Sequence, residues 1–131
     1  MGDSTDKCGV RAYAVEPGTK KIEGRAFCSC YDLEEIEIPN SVNVIGTDAF
    51  ADCINLKKIE ISDVIWIGKG AFRGCSSLKR FKIPNLVRGI GEEAFMDCYS
   101  LEEIIFPNLS GIFLHAFLSL LLREPLRAAA A

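Results

Sequence analysis

The dipeptide Ala-Phe recurs at Ala26-Phe27, Ala49-Phe50, Ala71-Phe72, Ala94-Phe95 and Ala116-Phe117, at intervals of 23, 22, 23 and 22 residues. A unit of about 22 residues cannot bury its apolar side chains alone, so a chain with this period must stack its units and share one continuous core between them. Other columns keep the same step. Three residues after each Phe stand Cys30, Cys53, Cys75 and Cys98, with Leu120 in the last slot. Then come Leu33, Leu56, Leu78 and Leu101; Ile36, Ile59, Phe81 and Ile104; and Ile38, Ile61, Ile83 and Phe106. Pro39, Pro84 and Pro107 follow, with Ser62 as the exception, and then Asn40, Asp63, Asn85 and Asn108. Ile45-Gly46, Ile67-Gly68 and Ile90-Gly91 lead back to the next Ala-Phe. The stretch from Cys8 is a worn copy, in which Val10, Tyr13 and Val15 keep the apolar spacing and Cys8 falls in the Cys column.

Each column has a physical role. Leu-x-x-Ile-x-Ile ends in period-two alternation and reads as a short strand, with its Ile side chains on one side and the intervening residues on the other. Pro ends the strand because it has no N–H for the ladder, and Asn or Asp suits the turn beyond it. Ile-Gly reads as a second apolar plug followed by a flexible corner. Ala-Phe-x-x-Cys reads as one helical turn, with Ala49 and Cys53 on the same face. The expected fold class is an α/β-type repeat solenoid: parallel strands, one per repeat, with short helical turns opposite. Its expected limits are a disordered segment at 1–7, a solenoid of about five units plus a partial C-terminal unit at 8–122, and a frayed tail at 123–131.

The consensus Leu-x-x-Ile-x-Ile-Pro-x-x-Val-x-x-Ile-Gly-x-x-Ala-Phe-x-x-Cys resembles the BspA-like leucine-rich repeat family over roughly residues 8–122. The resemblance implies a parallel-stranded solenoid. It also implies binding or adhesion rather than catalysis, often at a cell or pathogen surface.

Composition narrows the partners. Fifteen basic against 18 acidic residues leave a net charge of −3, which argues against a protein that holds nucleic acid through its phosphates. The longest apolar stretch, Ile112 to Leu122, is about half of a membrane span. The opening MGDSTDKCGV has no apolar core of the kind a signal peptide needs. That favours an intracellular location, against the surface location the resemblance suggests.

The residues that carry chemistry elsewhere read as structural here. Zinc sites want ligands two to four residues apart, whereas Cys30, Cys53, Cys75 and Cys98 step by 22 or 23. They are expected to be buried, reduced thiols, with Cys8 and Cys28 outside the best-kept units. Gly89-Ile90-Gly91-Glu92-Glu93-Ala94 matches Gly-x-Gly-x-x-Ala, but Gly91 and Ala94 are ordinary repeat columns and only Gly89 is extra. His115 stands in a variable slot with no catalytic partner in the pattern. Pairs such as Glu34/Glu35, Glu92/Glu93 and Glu102/Glu103 suit solvated faces. Asn108-Leu109-Ser110 is a glycosylation triplet at a turn, relevant only on a eukaryotic secretory route. No catalytic residue, cofactor or metal site is expected, and the protein is expected not to be an enzyme.

Function is then expected on the outward residues of the stacked strands. The rungs are Glu34, Glu35 and Glu37; Lys57, Lys58 and Glu60; Lys79, Arg80 and Lys82; and Glu102, Glu103 and Ile105. One reading is a self-satisfying ladder in which Glu35 meets Lys58, Arg80 meets Glu103 and Glu60 meets Lys82. The other is a partner site formed by Lys57, Lys58, Lys79, Arg80 and Lys82, a basic strip for an acidic segment of a protein. The expected function is a non-enzymatic protein-interaction or adhesion module; the alternative is a purely structural segment of a longer array. The apolar stretch from Ile112 to Leu122 has two readings, a cap on the core or an apolar patch for a partner or for self-association around Phe113 and Leu118.

Overall fold

The computed structural model describes residues 8–106 and the backbone of Ala128–Ala130. The segment 1–7, the Asn108 triplet, His115 and the apolar stretch from Ile112 to Leu122 lie outside the described residues. The described chain winds as a parallel β-solenoid of four coils, with the first strand of a fifth. Every coil carries strands on two sides. One row holds β1 (Ala12–Ala14), β3 (Glu35–Glu37), β5 (Lys58–Glu60), β7 (Arg80–Lys82) and β9 (Glu103–Phe106). The other holds β2 (Lys21–Ile22), β4 (Val44–Ile45), β6 (Trp66–Ile67) and β8 (Gly89–Ile90), all parallel in one sheet. One strand per repeat was expected, so the Ile-Gly corner is a second strand in addition. Its Ile points inward while the residue before it faces out, as in Lys21–Ile22 and Trp66–Ile67.

The first row is not one sheet. β1, β3 and β5 pair in register, as in Glu35 opposite Lys58, and β7 pairs with β9. Glu34 N–H bonds Arg11 O, Lys57 N–H bonds Glu34 O and Glu102 N–H bonds Lys79 O, each at 2.8 Å. Among the described residues the equivalent bond from Lys79 or Arg80 to Lys57 is missing, and β5 and β7 fall in separate sheets. The break falls where Lys57 and Lys58 meet Lys79 and Arg80, the junction in this row with cations on both sides. Ala128–Ala130 runs parallel to β9 as β10. It pairs along the edge of β9 opposite β7.

The helical turns expected at Ala-Phe-x-x-Cys do not form; no helix occurs there among the described residues. Instead each coil crosses this side as linked turns. Ala49, Ala51 and Cys53 N–H groups bond the carbonyls three residues back, Gly46, Asp48 and Phe50. The alternate N–H groups of Asp48, Phe50 and Asp52 donate to Lys69, Ala71 and Arg73 of the next coil at 2.7–2.9 Å. An α-helix would spend every N–H within its own coil. Giving half of them to the neighbour laces the coils together on a third side, and this excludes the helix. The geometry needs positive φ at two positions per coil: Asp48 and Asp52, Gly70 and Gly74, Glu93 and Asp97. Asp tolerates this left-handed region better than most residues, and Gly has no steric penalty there.

The core is the stack of columns. Phe50, Phe72, Phe95, Leu33, Leu56, Leu78, Ile45, Ile67 and Ile104 are fully or almost fully buried. Phe27, Phe50, Phe72 and Phe95 form one near-parallel pile with centroids 5.1, 5.3 and 5.5 Å apart. Phe81, standing in an Ile column, wedges against both Phe72 and Phe95 at 4.9 Å.

The cysteines divide. Cys53 Sγ donates to Phe27 O at 3.0 Å, and Cys75 and Cys98 donate to Phe50 O and Phe72 O at 3.1 Å. These three are free and buried, as expected, and burial pushes the Cys53 and Cys98 thiols up to about 12 and Cys75 well above its usual value. Cys30 corrects the expectation of a reduced thiol: it is disulfide-bonded to Cys8, with Cα atoms 4.5 Å apart. The 22-residue step that separates two sulfurs along the chain makes them column neighbours in space, within bridging range. We expect Cys53, Cys75 and Cys98 to resist a bulky thiol reagent in the native state and to react fully in denaturant. Rapid native labelling of all three would contradict the buried ladder. The raised values also set a pH dependence. Below the unfolded thiol value near 9 both states keep their protons and stability is unaffected. Above it the unfolded chain ionises while the native thiols cannot, so unfolding midpoints should fall between pH 9 and about 12.

Candidate interaction face

The outward positions of the first strand row follow from strand parity. Ile36 and Phe81 face the core, so Glu35, Glu37, Arg80 and Lys82 face solvent. Lys57, Lys58, Lys79, Arg80 and Lys82 are all exposed, and β5 and β7 run beside each other. The structure therefore brings the five predicted cations onto one face, with a gap in the ladder between the two groups.

The self-satisfying ladder is only partly present. Arg80 Nε lies 3.7 Å from Glu103 Oε1, and Arg11 Nε lies 3.4 Å from Glu34 Oε2. Glu35 is opposite Lys58 in register without forming an ion pair, and Glu60 and Lys82 are on strands that do not pair. Among the described residues, Lys57, Lys58, Lys79 and Lys82 have no carboxylate within 4 Å. Toward β1 the face changes character. Ala12 and Ala14 have short side chains, and Ala12, Ala14, Glu35, Glu37, Lys58 and Glu60 line a shallow depression of about 470 Å³. The face thus runs from an acidic hollow to a basic strip.

Sequence reasoning missed the second sheet's outer face. Its column is Lys21, Val44, Trp66 and Gly89, flanked by the exposed Ile65 and Arg88. The signal was available: Trp66 is the chain's single tryptophan and stands just before an Ile-Gly pair. Gly89, the residue that completed the nucleotide-like Gly-x-Gly-x-x-Ala, has a packing role. A Cβ there would collide with Cζ3 and Cε3 of Trp66, so the glycine seats the indole.

Among the described residues there is no cluster of His, Cys, Asp and Glu that could hold a metal ion, and no helix long and apolar enough to cross a membrane. The pattern described as BspA type leucine-rich repeat region matches residues 6–122, in six copies. No curated protein matches the chain. Among solved structures, a leucine-rich cell surface protein from Faecalibacterium prausnitzii is 39% identical with a TM-score of 0.71, over 74% of this chain and 26% of that one. The pneumococcal vaccine antigen PcpA shares the fold at 20% identity and a TM-score of 0.72, over 92% of this chain and 41% of that one. A T. pallidum leucine-rich repeat protein does so at 21% identity and a TM-score of 0.57, over 93% of this chain and 87% of that one. This chain spans about a quarter of the Faecalibacterium protein's length.

Proposed function

The chain belongs to the BspA-type leucine-rich repeat family, and on that premise we propose that it is a non-enzymatic interaction module docking an acidic segment of a protein partner on its strand face. The observation that carries this is a set of exposed lysines that, among the described residues, form no ion pair within 4 Å. Lys57, Lys58, Lys79 and Lys82 stand together on two neighbouring strands, and like charges in that position lower stability unless something else uses them. Burial makes the Cys53, Cys75 and Cys98 thiols poor nucleophiles. The Cys8–Cys30 disulfide supports surface display, because such bonds persist in oxidising compartments. The cell surface protein that is 39% identical supports it as well.

The test is binding of a labelled Glu-rich peptide, followed by fluorescence anisotropy. Lys58→Glu with Arg80→Glu should weaken binding more than about tenfold with the circular dichroism spectrum intact. Raising salt from about 50 mM to about 300 mM should weaken the parent's binding, because exposed charges are screened. The Arg80–Glu103 pair favours a second reading, a face serving only the stack. That reading forecasts a lower thermal midpoint in the double variant and no peptide binding by the parent.

A further inference from the structure

The strand face is divided by charge. From β3 to β7 its outward pairs read Glu35 and Glu37, Lys58 and Glu60, then Arg80 and Lys82, and all six are exposed. Among the described residues Glu35, Glu37 and Glu60 form no ion pair within 4 Å, and neither do Lys58 and Lys82. Carboxylates at one end of the face and cations at the other are thus left without partners in the chain's own ladder. Such a face is complementary to itself.

A second copy can use that complementarity in one orientation. A closed dimer buries the same patch on both subunits, related by a two-fold axis. With the axis along the stack, each strand faces itself, and Glu35 and Glu37 meet carboxylates. With the axis parallel to the strands and over β5, the order of coils reverses and the level along the strand is kept. β3 of one copy then lies over β7 of the other. Glu35 comes level with Arg80 of the second copy and Glu37 with Lys82, because each pair shares one column of the repeat. The match occurs twice, once on each side of the axis. Over β5, Lys58 meets Glu60 of the second copy on the diagonal. At the margins β9 lies over β1, where the half-buried Ile105 comes level with Ala14 in the shallow hollow. We propose that the acidic segment docked by the basic strip is the β3–β5 end of a second copy, so that two chains associate face to face through their strand rows. This rests on the reading of the strand face as a docking surface and names its partner. Five strands about 4.8 Å apart span only about 19 Å, so the contact falls short of the about 800 Å² per partner of a stable complex. The pair is therefore weak, with a Kd on the order of 100 μM, and held largely by charge.

Sedimentation velocity of the full chain, from about 10 μM to about 1 mM, brackets that affinity. In about 20 mM salt the weight-average sedimentation coefficient should rise with concentration toward that of a dimer, and in about 300 mM salt it should stay at the monomer value. Glu35→Lys with Glu37→Lys should abolish the rise, and so should Arg80→Glu with Lys82→Glu. An equimolar mixture of these two variants should associate at least as tightly as the parent, because a mainly basic face then meets a mainly acidic one. Excess Glu-rich peptide should disperse the parent pair, since both need the same cations. Should Glu35→Lys with Glu37→Lys fail to fold, Glu35→Gln with Glu37→Gln removes the charge alone and should weaken association by about tenfold or more. The proposal is overturned by association that persists in high salt or in either charge-reversed variant, which would place the contact on another surface. It is also overturned if the mixture of variants stays monomeric. A parent that stays monomeric at every concentration but binds the Glu-rich peptide sinks this proposal alone and leaves the docking reading standing. A parent that does neither sinks both.

Discussion

Phe72→Ala should leave the protein largely unfolded at room temperature. Phe72 is the middle of the aromatic pile, between Phe50 at 5.3 Å and Phe95 at 5.5 Å, with Phe81 at 4.9 Å on its flank. It is fully buried, so its removal opens a cavity that three rings border, and none can move in without leaving its own column. Losing a buried Phe costs about 3–5 kcal/mol. In a solenoid each coil is stabilised chiefly by its neighbours, so a gap at the third coil separates the stack into two short halves. A domain at the low end of the ordinary range of about 5–15 kcal/mol is left with little. Circular dichroism and a thermal midpoint check this directly. A variant that melts at the parent's temperature would show that the pile is not the core of the fold.

Gly68→Ala should be nearly as damaging, for a different reason. Gly46, Gly68 and Gly91 were expected to provide flexible corners, yet none has positive φ. What they lack is room. A Cβ on Gly68 would lie 2.7 Å from Thr47 N and 2.8 Å from Gly46 C, both main-chain atoms of the preceding coil. Main chain cannot step aside as a flexible side chain can. The added methyl can be accommodated only by prising the coils apart, which stretches the 2.8 Å bond from Gly68 N–H to Ile45 O. The cost should reach or pass the top of the about 1–3 kcal/mol range for overpacking. Gly18→Ala is the control. Gly18 has φ +92 and nothing within 4 Å of a Cβ, so its substitution meets backbone strain alone, about 1–2 kcal/mol. If Gly68→Ala were no worse than Gly18→Ala, contact between coils would not be the reason for this glycine column.

The period of 22 or 23 residues determined which side chains share a column, and with that the buried set of Phe, Leu, Ile and Cys. It also determined the inward and outward parity of the first strand row, so the exposure of Lys57, Lys58, Lys79, Arg80 and Lys82 was legible in advance. These are properties of one unit repeated, and a single unit's pattern contains them. What lay beyond the sequence all concerns the meeting of one coil with the next. Whether Ala-Phe-x-x-Cys became a helix depended on how its N–H groups divided between their own coil and the neighbour, and the neighbour took half. Whether Cys30 stayed reduced depended on Cys8 arriving 4.5 Å away, Cα to Cα. The gap between β5 and β7 and the seating of Trp66 on Gly89 are likewise contacts between residues about a coil apart. A repeat pattern shows that such residues are neighbours; only the stacked backbones decide whether they bond, repel or cover one another.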